Sequence, residues 1–209
     1  MSGKFITLEG GEGAGKTTCL KHVEQRIKEA GIELCVTREP GGTRSGEKIR
    51  EILLDRGNFD ILDDTELMLM FAARSQHLHE LIRPALAADT WVLCDRFTDA
   101  TYAYQGGGRG ISNQRIAILE EWVQQGLKPD LTLLLDLPVE IGLKRAGLRS
   151  TPDRFESENV SFMERMRSAY LEIAGSEPER VKVIDSAQEL DDVLLQIDMV
   201  LNDLFDSSS

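Results

Sequence analysis

The stretch that most constrains the fold is LEGGEGAGKTT, residues 8–18. Four glycines occupy the six positions from Gly10 to Gly15, and Lys16-Thr17-Thr18 follows. Glycine is costly to order, so such a cluster implies a backbone that needs positive φ or room for a close neighbour. The apolar run KFITLE (4–9) precedes it, and the helical pattern KTTCLKHVEQRIKEA (16–30) follows, ending at Gly31. A strand must therefore turn through the glycines directly into a helix. Gly10 to Thr17 fits G-x-x-x-x-G-K-[ST] in the strand–loop–helix setting that gives this pattern meaning. There the backbone N–H groups can curl around a phosphate, and the helix N-terminus adds positive potential. Lys16 is expected to reach the β- and γ-phosphates of a nucleotide, and the Thr17 hydroxyl to meet Mg²⁺. Glu12 is the oddity, a carboxylate inside an anion site.

The rest of the chain repeats the strand–helix alternation. Residues 4–9, 33–39, 91–95, 131–137 and 181–185 are continuous apolar runs, as expected for strands covered on both faces. Helical patterns cover 16–30, 64–88, 113–126 and 191–205; the second has Asp64 or Thr65 as N-cap and a bend expected near Pro84. The fold class predicted is α/β, a doubly wound five-stranded parallel sheet flanked by helices. One domain over 1–205 is expected, with 206–209 as a frayed tail.

Net charge is −12, from 24 Lys and Arg against 36 Asp and Glu. A surface this acidic disfavours nucleic acid and anionic membrane as partners, so an anionic ligand needs a local basic cluster. The three cysteines form no C-x-x-C pair, and Cys35 and Cys94 lie inside apolar runs, so neither a disulfide framework nor a zinc site is signalled. His77 and His79 point apart on a helix and make no metal pair. No window approaches the ~18 apolar residues of a membrane span, and the cytoplasm is the expected location.

Asp95 ends the run WVLCD, where a strand terminus points into the ligand crevice and an Asp can hold a metal or its water. Arg96 follows. No N-K-x-D guanine motif is present, the nearest stretch being LKPD (127–130), and CDRF stands where a switch protein has D-x-x-G. These absences and the chain length favour a small phosphotransferase. Rivals are a kinase of another nucleotide or nucleoside, and a slow-hydrolysing binding or switch protein.

LEGGEGAGKTT, TREPGGT, FAAR, CDRF, AYQGGGRG, KPDLTLLLDL and DRFE, in this order and spacing, resemble the bacterial thymidylate kinases over nearly the whole chain. The resemblance implies a phosphate-loop kinase fold with a small lid near 146–157, and phosphorylation of dTMP to dTDP by ATP with Mg²⁺ in a homodimer. ATP is then expected on Gly10, Gly11, Glu12, Gly13, Ala14, Gly15, Lys16, Thr17 and Thr18, with Arg145 stacked on adenine. Thr17 and Asp95 are the implied metal residues. Glu12 matches the acid that meets the acceptor's 3′-hydroxyl, and Gly13 replaces the arginine of eukaryotic-type enzymes. Lid arginines are expected instead, Arg149 and Arg154 being the candidates, alongside Lys16 and Arg96 as catalytic groups. For dTMP the implied set is Glu39 and Pro40 at a bend where a cis bond is possible, Arg50 and Arg96 on the phosphate, Arg74 on thymine O4, and Thr101, Tyr104 and Gln105 near the base edge. Where relatives stack thymine on Phe, this chain has Met70 followed by Phe71, and either could pack the base. The nucleophile implied is a dTMP phosphate oxygen, dianionic near neutrality because its second pKa is about 6, so no general base is required.

Overall fold

A computed structural model describes residues 3–55, 57, 61–147, 154–155 and 158–208. The first strand, β1 (Phe5–Gly10), is buried along its length. It passes through the glycine loop into α1 (Lys16–Glu29), whose buried Cys19, Val23 and Ile27 recur every four residues and form one stripe against the sheet. Next come β2 (Leu34–Arg38) and α2 (Arg44–Leu54), the latter capped by the Thr43 side chain, which accepts from Gly46 N–H.

The pattern expected as one helix over 64–88 is a single rod in three parts. These are α3 (Asp63–His77), a π-helical turn (Leu78–Ile82) and α4 (Arg83–Ala87). The change in winding precedes Pro84. Arg83 N–H bonds five residues back to Leu78, and Pro84 falls in the first turn of α4, where a missing N–H costs little.

Then follow β3 (Trp91–Asp95), the short α5 (Thr98–Thr101) running into a second π-helical turn (Tyr102–Gly108), α6 (Asn113–Gln124), β4 (Leu131–Asp136), α7 (Val139–Ala146), α8 (Val160–Ser176), β5 (Val181–Asp185) and α9 (Leu190–Ser208). The tail expected to fray at 206 instead continues α9 to Ser208.

All four strand pairings are parallel, in the order β2-β3-β1-β4-β5. On one face, Ile6, Leu8, Leu133 and Ile184 pack with α1 and α9 through Val23, Ile27, Val193, Ile197 and Leu201. Other buried groups join Leu134 and Val181 to α8 through Met166 and Tyr170, and Phe5 and Val92 to Leu78 and Ile82. From β1 the chain first builds the β3–β2 side and later crosses to β4, so β1 marks the point where strand order reverses and a crevice opens. Among the described residues no helix is long and apolar enough to cross a membrane.

Candidate active site

A cavity of about 590 Å³ opens at the carboxyl ends of β1 and β3. Glu12 to Thr17 form one end, and Glu39, Pro40, Arg50, Met70, Arg74, Thr101 and Gln105 line the other, with Asp95, Arg96 and Tyr104 also on the wall. The loop takes its shape from its glycines: Gly13 and Gly15 sit at φ 71° and 86°. A Cβ on Gly13 would meet the backbone of Gly142, so α7 packs directly on the loop. Lys16 Nζ donates to the carbonyls of Gly10 and Gly11 at 3.1 and 2.9 Å. Burial lowers its pKa, while Glu12 and Asp95 act the other way. Thr17 is exposed on the cavity wall; Thr18 is exposed but not part of the lining.

Asp95 Oδ1 is buried without a hydrogen-bond partner, an uncommon condition for a carboxylate oxygen. Among the described residues no cluster of three His, Cys, Asp or Glu could hold a metal alone. Thr17 and Asp95 therefore fit a cation such as Mg²⁺ that keeps most of its ligands on water and substrate phosphates.

Arg96 adopts φ 67°, a left-handed conformation unusual for a residue with a Cβ. The turn is pinned on both sides: Arg96 N–H donates to Leu8 O at 3.0 Å, and Phe97 N–H to Glu9 Oε1 at 2.7 Å. The guanidinium is thereby returned over the loop, donating to Gly10 O and to Glu12 Oε1, both at 3.0 Å. It lies 4.8 Å from the centre of the Tyr104 ring, whose hydroxyl also donates to Glu12 Oε1, at 3.3 Å. Tyr170 hydroxyl donates to the other oxygen of Glu9 at 2.7 Å. Burial, reinforced by Asp99, pushes the Glu9 carboxyl up to about 8. Glu9 and Tyr170 were not singled out from the sequence; an acid inside the largely apolar run FITLEG was the available signal.

At the far end, Arg74 donates through Nε to Glu39 Oε2 at 2.7 Å and through Nη2 to Thr101 Oγ1 at 2.9 Å, while Nη1 is buried without a partner. Phe71 and Phe97 flank it at 4.8 and 5.0 Å. The second oxygen of Glu39 meets His77 Nδ1 at 3.0 Å, and His77 Nε2 meets Thr37 Oγ1 at 2.7 Å. His77, assigned no task from the sequence, thus orients the acid that orients Arg74. The Glu39–Pro40 bond is cis, and Arg50 Nη1 donates to Pro40 O at 2.9 Å. Met70 lines the cavity, whereas Phe71 is buried with Leu67, Ile111 and Ile116. Of the two residues left open for packing a base, the helix turns Met70 toward the space.

Two arginines lie elsewhere than expected. Arg145 donates to the carbonyls of Ser186 and Ala187, in the connection between β5 and α9, and is not part of the cavity wall. Arg154, expected as a catalytic lid arginine, is buried and is not part of the cavity wall. It donates to Leu53 O at 2.8 Å and Glu66 Oε2 at 2.5 Å and stacks 4.5 Å from the Phe155 ring. A guanidinium with this many fixed partners is committed to packing in this conformation. Arg149 lies outside the described residues.

The family model described as thymidylate kinase matches residues 8–197. Thymidylate kinase of Pseudomonas entomophila is 58% identical over 201 residues, spanning 96% of each chain. That of Pseudomonas savastanoi pv. phaseolicola is 56% identical over 206 residues, 99% of this chain and 98% of that protein. The crystal structure of thymidylate kinase from Ehrlichia chaffeensis superposes with a TM-score of 0.79 at 31% identity, covering 97% and 99% of the two chains. With the glycine loop, the crevice beside β1 and these likenesses all agreeing, the chain belongs to the thymidylate kinase family.

Proposed function

We propose that this chain transfers the γ-phosphoryl group of ATP to the 5′-phosphate of dTMP, giving dTDP and ADP. The observation that carries the reading is one cavity joining a phosphate loop to a second, acceptor-shaped end, with Glu12 and Arg96 paired at the junction. A switch protein or simple nucleotide binder has no use for the second end.

Lys16 and the loop amides hold the donor phosphates, and Lys16 exchanges its present carbonyl partners for them. Thr17 and Asp95 would hold Mg²⁺, which would supply neutralisation of the donor phosphates' charge. Arg96 and Arg50 take the acceptor phosphate, Glu12 accepts from the 3′-hydroxyl, and Met70 packs the thymine whose O4 faces Arg74. Arg96 lies between the two halves, so it serves both alignment and charge neutralisation. Arg149 supplies further positive charge to the phosphates, and Arg154 is paired with Glu66. The working unit is a cytoplasmic homodimer. Met68 on α3 and Ile118 and Trp122 on the adjoining α6 are exposed apolar side chains that support a second copy as partner.

The deciding experiment is ADP release coupled to NADH oxidation, with dTMP, dUMP, thymidine, dCMP and AMP as acceptors. Strong stimulation by dTMP above the others is expected. ATP hydrolysis unaffected by any acceptor would overturn the reading, and light scattering at micromolar chain tests the dimer.

A further inference from the structure

Glu66, in the first turn of α3, is fully buried, and three side chains from distant parts of the chain converge on it. Gln105 Nε2 donates to Oε1 at 2.8 Å, Arg109 Nη2 to Oε2 at 3.2 Å and Arg154 Nη2 to Oε2 at 2.5 Å. Guanidinium groups only donate, so two of them hold Glu66 as a carboxylate that only accepts. A carboxamide cannot turn its oxygen to such a neighbour without setting acceptor against acceptor. The nitrogen of Gln105 must therefore face Glu66, whatever substrate arrives.

The consequence falls on the cavity. Gln105 lines it, and its amide oxygen makes no hydrogen bond among the described residues. Arg74 bonds Thr101, one turn before Gln105, lines the same cavity, and has its donor-only Nη1 unpartnered. The wall thus offers the Gln105 oxygen as a fixed acceptor beside a guanidinium that only donates. Thymine and uracil present the complement, O4 as acceptor and N3–H as donor, whereas cytosine presents N4–H as donor and N3 as acceptor.

We propose that Glu66 is a positioning residue that fixes the amide of Gln105 with its oxygen toward the substrate, and so sets the preference for a thymine-type edge over a cytosine-type edge. The inference rests on the reading of this cavity as a thymidylate site.

The test compares kcat/KM for dTMP and dCMP in the wild-type chain, Glu66→Gln and Glu66→Asp. Glutamine keeps the shape but can donate as well as accept, which frees Gln105 to flip. The dTMP-to-dCMP ratio is expected to fall about tenfold or more, the scale of one base-edge contact. Aspartate loses packing but still only accepts, so its ratio is expected to stay near wild type even as Tm falls. A purely structural role lowers kcat/KM for both nucleotides together in both variants. A folded Glu66→Gln enzyme with the wild-type ratio overturns the inference and leaves the proposed function standing. A wild-type chain that does not phosphorylate dTMP overturns both.

Should Glu66→Gln fail to fold, NMR of the Gln105 side-chain NH2 in the wild-type chain decides, assigned through Gln105→Met. Slow solvent exchange with and without dTMP supports a fixed amide. Fast exchange overturns it.

Discussion

Replacing Glu9 by Gln isolates the cost of the acid buried behind the loop. Glu9 has no exposed surface, and its carboxyl is pushed up to about 8 from an ordinary 4.5, first by burial and then by Asp99. Because the folded value is the higher one, the folded chain keeps a proton that the unfolded chain releases. The stabilisation is complete below about pH 4.5, shrinks as pH rises, and is gone above about pH 8. At 1.36 kcal/mol per pH unit, the whole interval corresponds to an upper bound of about 5 kcal/mol. Glutamine reproduces the neutral form: its oxygen can accept from Phe97 N–H, and its nitrogen can donate to the Tyr170 hydroxyl. Urea unfolding of both proteins at matched pH values cancels every other titrating group. The stability of Glu9→Gln minus wild type is expected to rise by about 2 kcal/mol or more between pH 5.5 and 8.5, equivalent to about 4–8 °C in Tm for a chain of this size. A difference that stays constant over that range would refute the argument, since the carboxyl would then titrate as it does in water.

Lys16→Met removes the ammonium while keeping the length of the side chain; kcat is expected to fall by about 10²–10³, as for loss of one charge-stabilising donor, with dTMP still binding by calorimetry. Met70→Ala should raise KM for dTMP with little change in urea midpoint, and Phe71→Ala should cost about 3–5 kcal/mol of stability; the reverse pattern would show that Phe71 packs the base. A Cβ on Gly142 would press on the Glu12 carbonyl, so Gly142→Ala should damage ATP use, whereas Gly175→Ala, with nothing near its Cβ, should leave kcat/KM unchanged and raise Tm slightly.

The strands were legible because each carries a short apolar run; β1, β3 and β4 are buried along most of their length, whereas the edge strands β2 and β5 are partly exposed. The runs 91–95 and 181–185 coincide with the observed elements, and the others differ by one or two residues. The glycine loop was legible because its chemistry is local, and Asp95 because it ends a strand; the acceptor set came from the family resemblance, and its residues apart from Phe71 line the cavity. What escaped depends on contacts between distant parts of the chain. Nothing near DRFE says that Arg154 pairs with Glu66, 88 residues earlier, so the resemblance placed it among the catalytic lid arginines. The choice between Met70 and Phe71 turns on the rotation of α3, set by Leu67, Ile111 and Ile116 packing around Phe71. The π-helical turn at 102–108 was not anticipated, since three consecutive glycines disfavour any helix. Its glycines instead admit α8, where a Cβ on Gly107 or Gly108 would strike Arg165, Ala169 or Phe162.

The strand order has a consequence for how the two substrates can change independently. With β3 and β2 together on one side of β1, the acceptor end is drawn, apart from Glu12 and Phe155, from a single unbroken run between Glu39 and Gln105. The loop proposed to hold ATP and the helix α7 that backs it lie outside that run. That run also carries Asp95 and Arg96, which face the loop as well as the acceptor end. Changes confined to its other lining residues are expected to alter the choice of acceptor while the loop and α7 keep their residues.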